Sequence, residues 1–85
     1  MTGPEPSLLD SVTRVIAKHF RTNPAAITAA TTALDVRGWD SLNHTLLLMR
    51  LEQELGVRVD ARAALQAANV GDLVAAIEAA RGRKP

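Results

Sequence analysis

The 85-residue sequence contains no cysteine and only two histidines, and both scarcities narrow what it can be. Without cysteine there is no disulfide, thiolate metal site or cysteine nucleophile, so packing alone must hold the fold together. His19 and His44 lie far apart, and no carboxylate stands at a recognisable ligand spacing from either. We therefore expect no metal site.

Long apolar runs and an excess of one charge are also missing. No run is long enough to span a bilayer, and the beginning MTGPEPSLLD lacks the basic and apolar segments of a signal peptide, so we expect a cytoplasmic protein without an anchor. The net charge of +1 gives no electrostatic footprint for nucleic acid. We predict that the basic end RGRKP is a solvated tail.

The length allows one domain, which we predict over residues 1–85, ordered from about residue 7 to residue 81 with frayed tails at 1–6 and 82–85. Separate substrate and cofactor domains do not fit within such a chain. An enzyme is therefore disfavoured, and we assign no catalytic residues.

Helical periodicity marks the two ends of the chain. We predict a first helix from Ser7, its N-cap, to Phe20, and a last helix over NVGDLVAAIEAAR with Asn69 as its cap. The core side of the first comprises Leu8, Leu9, Val12, Val15, Ile16, His19 and Phe20, opposite Asp10, Arg14, Ala17 and Lys18. His19 is expected to be partly buried and structural. The stripe of the last comprises Val70, Leu73, Val74, Ile77 and Ala80.

A middle helix is predicted from about Ser41 to Leu55, ending at Gly56 in a left-handed conformation. Its buried stripe comprises Leu47, Leu48, Leu51 and Leu55, and a second apolar stripe comprises Leu42, Leu46 and Met49. ARAALQAA adds one or two helical turns capped by Asp60. The class is all-α, with three main helices and one short helix.

The connection over residues 21–40 is longer than helix connections in bundles normally are, which indicates a functional loop. Asn23 and Pro24 open it with turn chemistry. We expect Ile27, Leu34 and Val36 to anchor it over the bundle end, so that Ser41 is presented at an exposed corner.

Ser41 has three possible roles: a helix cap, a hydrolase nucleophile or an attachment point. His44 is close in sequence, but GWDSLN lacks the G-x-S-x-G spacing and no strand precedes it, which disfavours hydrolysis. The free N–H groups of a helix start suit a capping hydroxyl, and equally a phosphate joined to the serine oxygen.

The segment GWDSLNHTLLLMRLEQELGV resembles the acyl carrier protein signature, in which Asp-Ser-Leu opens the second helix of a four-helix bundle. NPAAITAATTAL is similar to the first loop of that family, LEQELGVRV to the end of its second helix and NVGDLVAAI to the start of its last. The resemblance covers nearly the whole chain in the right order.

The resemblance implies a carrier without catalysis of its own. A phosphopantetheinyl transferase would attach 4′-phosphopantetheine from coenzyme A to Ser41. The thiol of that group would hold an acyl or aminoacyl unit, loaded by a ligase and passed to a downstream acyltransferase or synthase. Asp40 would orient the local backbone or the chemistry of the transferase, and Leu42 would contact partners. We expect a monomer.

The middle helix departs from the acidic pattern of many fatty-acid carriers, because Asn43, Leu46 and Gln53 stand where acids are common and Arg50 adds a positive charge. This favours a specialised carrier of polyketide, peptide or surface-glycan biosynthesis. The predicted partner-binding residues are Leu42, Asn43, Leu46, Met49 and Arg50.

Alternatives to that interpretation remain open. Leu46 and Met49 could pack under the loop, or the Leu42, Leu46 and Met49 stripe could belong to an unmodified helical interaction domain. Short acyl, hydroxyacyl and amino acid cargoes are all compatible with the sequence. For the alanine-rich third and fourth segments, close helix approach is favoured over an open space.

Overall fold

The computed structural model describes residues 7–81, and within that range the chain forms four α-helices and no strand. The helices are α1 (Leu8–Phe20), α2 (Ser41–Leu55), α3 (Ala61–Gln66) and α4 (Val70–Arg81). The all-α prediction is confirmed. No helix in the described part of the chain is long and apolar enough to cross a membrane. The expected tails at 1–6 and 82–85 lie outside the described residues.

Helix α1 is the central element, since α2, α4 and the first turn of the long loop all pack against it. Ser7 caps it as predicted: its hydroxyl accepts a hydrogen bond from the Asp10 backbone N–H at 3.0 Å. His19 is half-buried, also as predicted. Ala17 was predicted on the exposed face but is only 3% exposed. The prediction is wrong because α1 is covered on more sides than a surface helix with a single core stripe.

Helices α2, α3 and α4 follow the sequence patterns closely. Asp60 caps α3, Asn69 accepts a hydrogen bond from the Asp72 N–H at 2.8 Å, and Gly56 ends α2 at φ 63°. Helix α3 packs against α4. The core consists of Val12, Val15, Ile16, Ala17, Ile27, Leu47, Leu48, Leu51, Ala64, Val70, Leu73, Val74 and Ile77.

The long loop contains two 3-10 turns, Pro24–Ala26 and Ala33–Asp35. Ile27 is buried and anchors the loop as predicted, and Val36 is half-buried. Leu34, however, is 98% exposed, so its predicted anchoring role is wrong. The aromatic ring of Trp39 anchors this end of the loop instead, stacked on Phe20 with ring centroids 5.1 Å apart.

Backbone hydrogen bonds also join the loop to the start of α4. The N–H of Val70 donates to the Thr31 carbonyl at 2.9 Å, and the N–H of Gly71 donates to the Ala29 carbonyl at 2.8 Å. The first N–H groups of a helix have no acceptor within the helix, so the loop supplies what α4 lacks. The loop is thereby held by α1 at Trp39 and by α4 at Ala29 and Thr31 before it reaches Ser41.

Candidate functional site

Ser41 is the first residue of α2 and is exposed, but it does not cap the helix. The chain arrives in extended conformation at Asp40, whose carboxylate accepts a hydrogen bond from the Asn43 N–H at 2.8 Å. The prediction that Ser41 is the cap is therefore wrong by one position. Because Asp40 performs the capping, the Ser41 hydroxyl is not needed to start the helix.

The Asp40 carboxylate is the local negative charge of the site. The hydrogen bond from the Asn43 backbone N–H holds the pKa of this carboxyl below its ordinary value, and partial desolvation opposes the effect. The Asn43 side-chain amide also donates to it, at 3.1 Å. An anion therefore already lies at the helix start. The Asn43 N–H is thus engaged by Asp40. A phosphate joined to the Ser41 oxygen stays a prediction.

Beside Ser41 lies a cleft of about 320 Å³ between the loop and helices α2, α3 and α4. It is lined by Thr31, Ala33, Trp39, Asp40, Ser41, His44, Ala64, Leu65, Ala67, Ala68, Asn69 and Leu73. The alanine-rich segment after Asp60 was expected to allow close helix approach. Ala64, Ala67 and Ala68 contribute to the lining of the cleft, and α3 also packs on α4.

His44 bridges two walls of the cleft. Its Nδ1 lies 3.0 Å from Trp39 Nε1, and its Nε2 lies 3.2 Å from the Ala64 carbonyl oxygen. Both ring nitrogens are thus engaged away from Ser41, and His44 is not placed to take a proton from the Ser41 hydroxyl. This geometry removes the one partner that a hydrolase interpretation had available.

The sequence did not identify this bridge, although both of its side chains stand in the quoted signature. Trp39 is the only tryptophan of the chain, and His44 follows it by five residues. The available signal for the bridge was one indole N–H placed five residues before a histidine of the predicted helix. The partner atom, the Ala64 carbonyl, lies twenty residues further on and has no sequence signature.

The second stripe of α2 is exposed. Leu42 is 68% exposed, Leu46 43% and Met49 53%, whereas Leu47, Leu48 and Leu51 of the same helix are buried. The alternative that Leu46 and Met49 pack under the loop is therefore wrong. These three side chains form an apolar surface, the α2 stripe, that begins one residue after Ser41.

The polar residues of α2 are largely engaged within the chain. Arg50 Nε forms a salt bridge with Glu54 Oε2 at 2.6 Å, and this hydrogen bond, opposed by desolvation, holds the pKa of the Glu54 carboxyl below its ordinary value. Glu52 accepts a hydrogen bond from the Val59 N–H at 2.9 Å. Of the predicted partner-binding residues, Asn43 and Arg50 have intramolecular contacts, and Leu42, Leu46 and Met49 are the ones presented to solvent.

Comparison with known proteins places this site in context. Residues 10–77 match the family model described as "Phosphopantetheine attachment site". The chain is 33% identical over 72 residues to an acyl carrier protein of Helicobacter pylori strain G27, covering 85% of this chain and 92% of that protein. It is 30% identical over 67 residues to an acyl carrier protein of Caulobacter vibrioides strain NA1000 / CB15N, covering 79% of this chain and 86% of that protein.

A solved structure is similar as well. The solution NMR structure of a holo acyl carrier protein from Geobacter metallireducens superposes with a TM-score of 0.76 at 29% sequence identity. The match covers 89% of this chain and 87% of that chain. The similarity therefore extends through the helices on both sides of Ser41.

Proposed function

The chain belongs to the acyl carrier protein family, and from that premise we propose that Ser41 carries the 4′-phosphopantetheine of this carrier and holds an acyl or aminoacyl unit as a thioester. Members of this family are carriers rather than enzymes, and they act with a phosphopantetheinyl transferase and with acyl-processing enzymes. The observation that carries the assignment to Ser41 is its exposed position at the start of α2, beside a cleft.

The residues around Ser41 fit the prosthetic group. Asp40 starts the helix, so modifying the Ser41 hydroxyl breaks no capping hydrogen bond. When bound, the group supplies the thiol that a chain without cysteine lacks. No side-chain thiol competes for the thioester.

The attachment is tested by intact mass spectrometry after incubation with coenzyme A and a promiscuous phosphopantetheinyl transferase. We expect a gain of one phosphopantetheine group in the wild-type protein and none in Ser41→Ala. Ser11→Ala, which removes a serine hydroxyl of α1 outside the cleft lining, is the matched control and should be modified like the wild type. An unchanged wild-type mass would favour the unmodified interaction domain, and modification of Ser41→Ala would place the attachment elsewhere.

We further propose that this carrier is a monomer that serves a specialised pathway, such as polyketide, peptide or surface-glycan biosynthesis, and docks partners through the α2 stripe with Asn43 and Arg50 at its border. Two observations support this. The stripe is exposed, and soluble monomers seldom retain such patches without use. The carboxylates of Glu52 and Glu54 are already engaged within the chain, so a basic partner surface would have to compete for them.

A cleft of about 320 Å³ lies at the lower end of ligand-pocket volumes. His44, Trp39 and Asn69 add polar groups to its lining. These properties favour a short acyl, hydroxyacyl or aminoacyl cargo over a long chain.

The docking role is tested with Leu46→Glu, which places a charge in the middle of the α2 stripe. We expect loading by the cognate enzyme to fall at least about tenfold while the free energy of unfolding changes little, since Leu46 is half-exposed. Ala75→Glu introduces the same negative charge at an exposed position of α4, and we expect this variant to be loaded normally. Loading should also depend only weakly on salt concentration, because an apolar contact is not screened. Unchanged loading by Leu46→Glu would contradict the docking role.

A further inference from the structure

The hydrogen bonds of His44 determine the state of its ring. Trp39 Nε1–H can only donate, so Nδ1 of His44 must be the acceptor of the 3.0 Å hydrogen bond. The proton of the neutral ring then lies on Nε2, which donates to the Ala64 carbonyl at 3.2 Å. One state of His44, the neutral ring protonated on Nε2, satisfies both neighbours.

These two bonds connect three separate elements around the cleft. Trp39 belongs to the loop and is stacked on Phe20 of α1, so that side of the bridge is firmly supported. Ala64 belongs to α3, which has six residues and packs on α4. His44 of α2 therefore reaches across the cleft to the opposite wall.

Helix α3 buries few side chains of its own. Ala64 is its only buried residue in the described chain, and Leu65, its one large apolar side chain, is 71% exposed. A helix of this length is not stable without tertiary contacts. The bond from His44 to Ala64 is thus the side-chain hydrogen bond that joins α2 directly to α3 in the described chain.

We propose that His44 is a positioning residue that shapes the cleft beside Ser41, by holding Trp39 and α3 in place as two of its walls. The part of this inference that concerns the carried group rests on the proposed attachment at Ser41. With both bonds formed, a group in the cleft lies between two fixed walls and is partly screened from water. Without them, α3 is held toward α2 less firmly and the screening decreases.

Three variants separate the hydrogen bonds from the bulk of the ring. His44→Phe keeps a ring but loses both bonds, whereas His44→Gln keeps one donor and one acceptor. Trp39→Phe removes only the indole donor and retains an aromatic ring to stack on Phe20. His19→Gln, at the histidine on α1, is the control for loss of an imidazole outside the cleft.

The first measurement needs no prosthetic group. Amide hydrogen exchange of α3 in the unmodified protein should accelerate about three- to tenfold in His44→Phe, the change expected for the loss of one or two hydrogen bonds. Exchange at the buried positions Val74 and Ile77 of α4 should not change. His44→Gln should restore most of the protection, and His19→Gln should behave as wild type. Acrylamide quenching of Trp39, the only tryptophan, should increase in His44→Phe.

The second measurement uses the phosphopantetheine form. The reaction rate of its thiol with a disulfide reagent should rise in His44→Phe and Trp39→Phe and stay near the wild-type value in His44→Gln. If His44→Phe does not fold, Trp39→Phe carries both measurements.

Uniform acceleration of exchange in α3 and α4 would overturn the proposal, because it would make His44 an ordinary packing residue. The same holds if His44→Gln behaves like His44→Phe, or if α3 exchange is unchanged in every variant. Failure of the attachment at Ser41 is recognised separately, by an unchanged wild-type mass, and leaves the exchange experiment fully interpretable.

Discussion

Asp40 and Ser41 are adjacent residues with separate tasks at the start of α2. Asp40 accepts the Asn43 N–H and supplies the negative charge that the positive end of a helix dipole favours. Ser41 makes no contribution to the cap and stays exposed. Because Asp40 rather than Ser41 makes the capping hydrogen bond, the helix start keeps the same hydrogen bonds whether or not the serine oxygen is substituted.

The charge of Asp40 makes one pH dependence predictable. Its folded-state pKa lies below the unfolded value near 4, so its contribution to stability is fully present above about pH 5 and is lost as the pH falls through the folded value. Asp40→Asn keeps an acceptor but no charge. We expect it to have a lower Tm than wild type at pH 7, with a gap that narrows by pH 3.

Thermal unfolding followed by circular dichroism at both pH values checks this expectation. Glu54 lies near the other end of the same helix, and its hydrogen bond from Arg50 also lowers its pKa. Glu54→Gln is therefore a useful comparison. A gap for Asp40→Asn of equal size at pH 7 and pH 3 would mean that the Asp40 charge does not stabilise the fold.

Among the elements, α2 has two apolar faces, of which one is buried and the other is exposed. Leu47, Leu48 and Leu51 are buried against the core, whereas the α2 stripe remains exposed. The helix lies at the edge of the bundle and packs on α1, so one stripe is sufficient to hold it. The second is the surface that we propose for docking.

At the start of α4, the fit between helix and loop is unusually close. A Cβ atom on Gly71 would lie 3.1 Å from the Ala29 carbonyl oxygen and 3.2 Å from Ala29 Cβ. The Ala29 carbonyl has little freedom to move, because it accepts the Gly71 N–H and its loop is tied by Thr28 N–H donating to Thr31 Oγ1.

Gly71→Ala is therefore expected to destabilise the protein by about 1–3 kcal/mol, although alanine is the better helix former by about 1 kcal/mol. Urea unfolding measures the difference, and hydrogen exchange should show faster exchange at the first amides of α4. Net stabilisation would mean that the loop yields and that helix propensity decides the sign.

At the scale of the whole molecule, a small core must stabilise the entire fold. A domain of this length typically has a free energy of unfolding of roughly 4–13 kcal/mol. Within residues 7–81, the largest fully buried side chains are Ile16, Leu47, Leu51, Leu73, Ile77, Val12 and Val70. Each accounts for a substantial part of the total.

Leu46 and Leu47 form a matched pair for testing that statement. Leu47 is 0% exposed and Leu46 is 43% exposed, although they are neighbours in one helix. We expect Leu47→Ala to cost about 2–5 kcal/mol in the free energy of unfolding, and Leu46→Ala to cost less than half as much. Urea unfolding of both variants checks this, and equal costs would contradict the assignment of the two stripes.

Much of the element structure was predictable because it depends on residues close in sequence. Ser7, Asp60, Asn69 and Gly56 are placed at helix ends by hydrogen bonds or backbone conformations that span only a few residues. Periodicity likewise separated the two apolar stripes of α2. Even here the cap of α2 was assigned one residue late, since aspartate and serine are both good caps and only the backbone conformation at Asp40 distinguishes them.

The all-α class, most helix ends, the two apolar stripes of α2 and the resemblance around Ser41 could be predicted from the sequence, because they follow from local hydrogen bonds, periodicity and a contiguous motif. The tertiary structure was needed to show that Trp39 rather than Leu34 anchors the loop and that Ala17 is buried. It was also needed to show that the α2 stripe is exposed and that His44 joins α2 to Ala64 across an open cleft. Those outcomes depend on how distant segments approach one another. Such distances are fixed by the packing of the helices around α1.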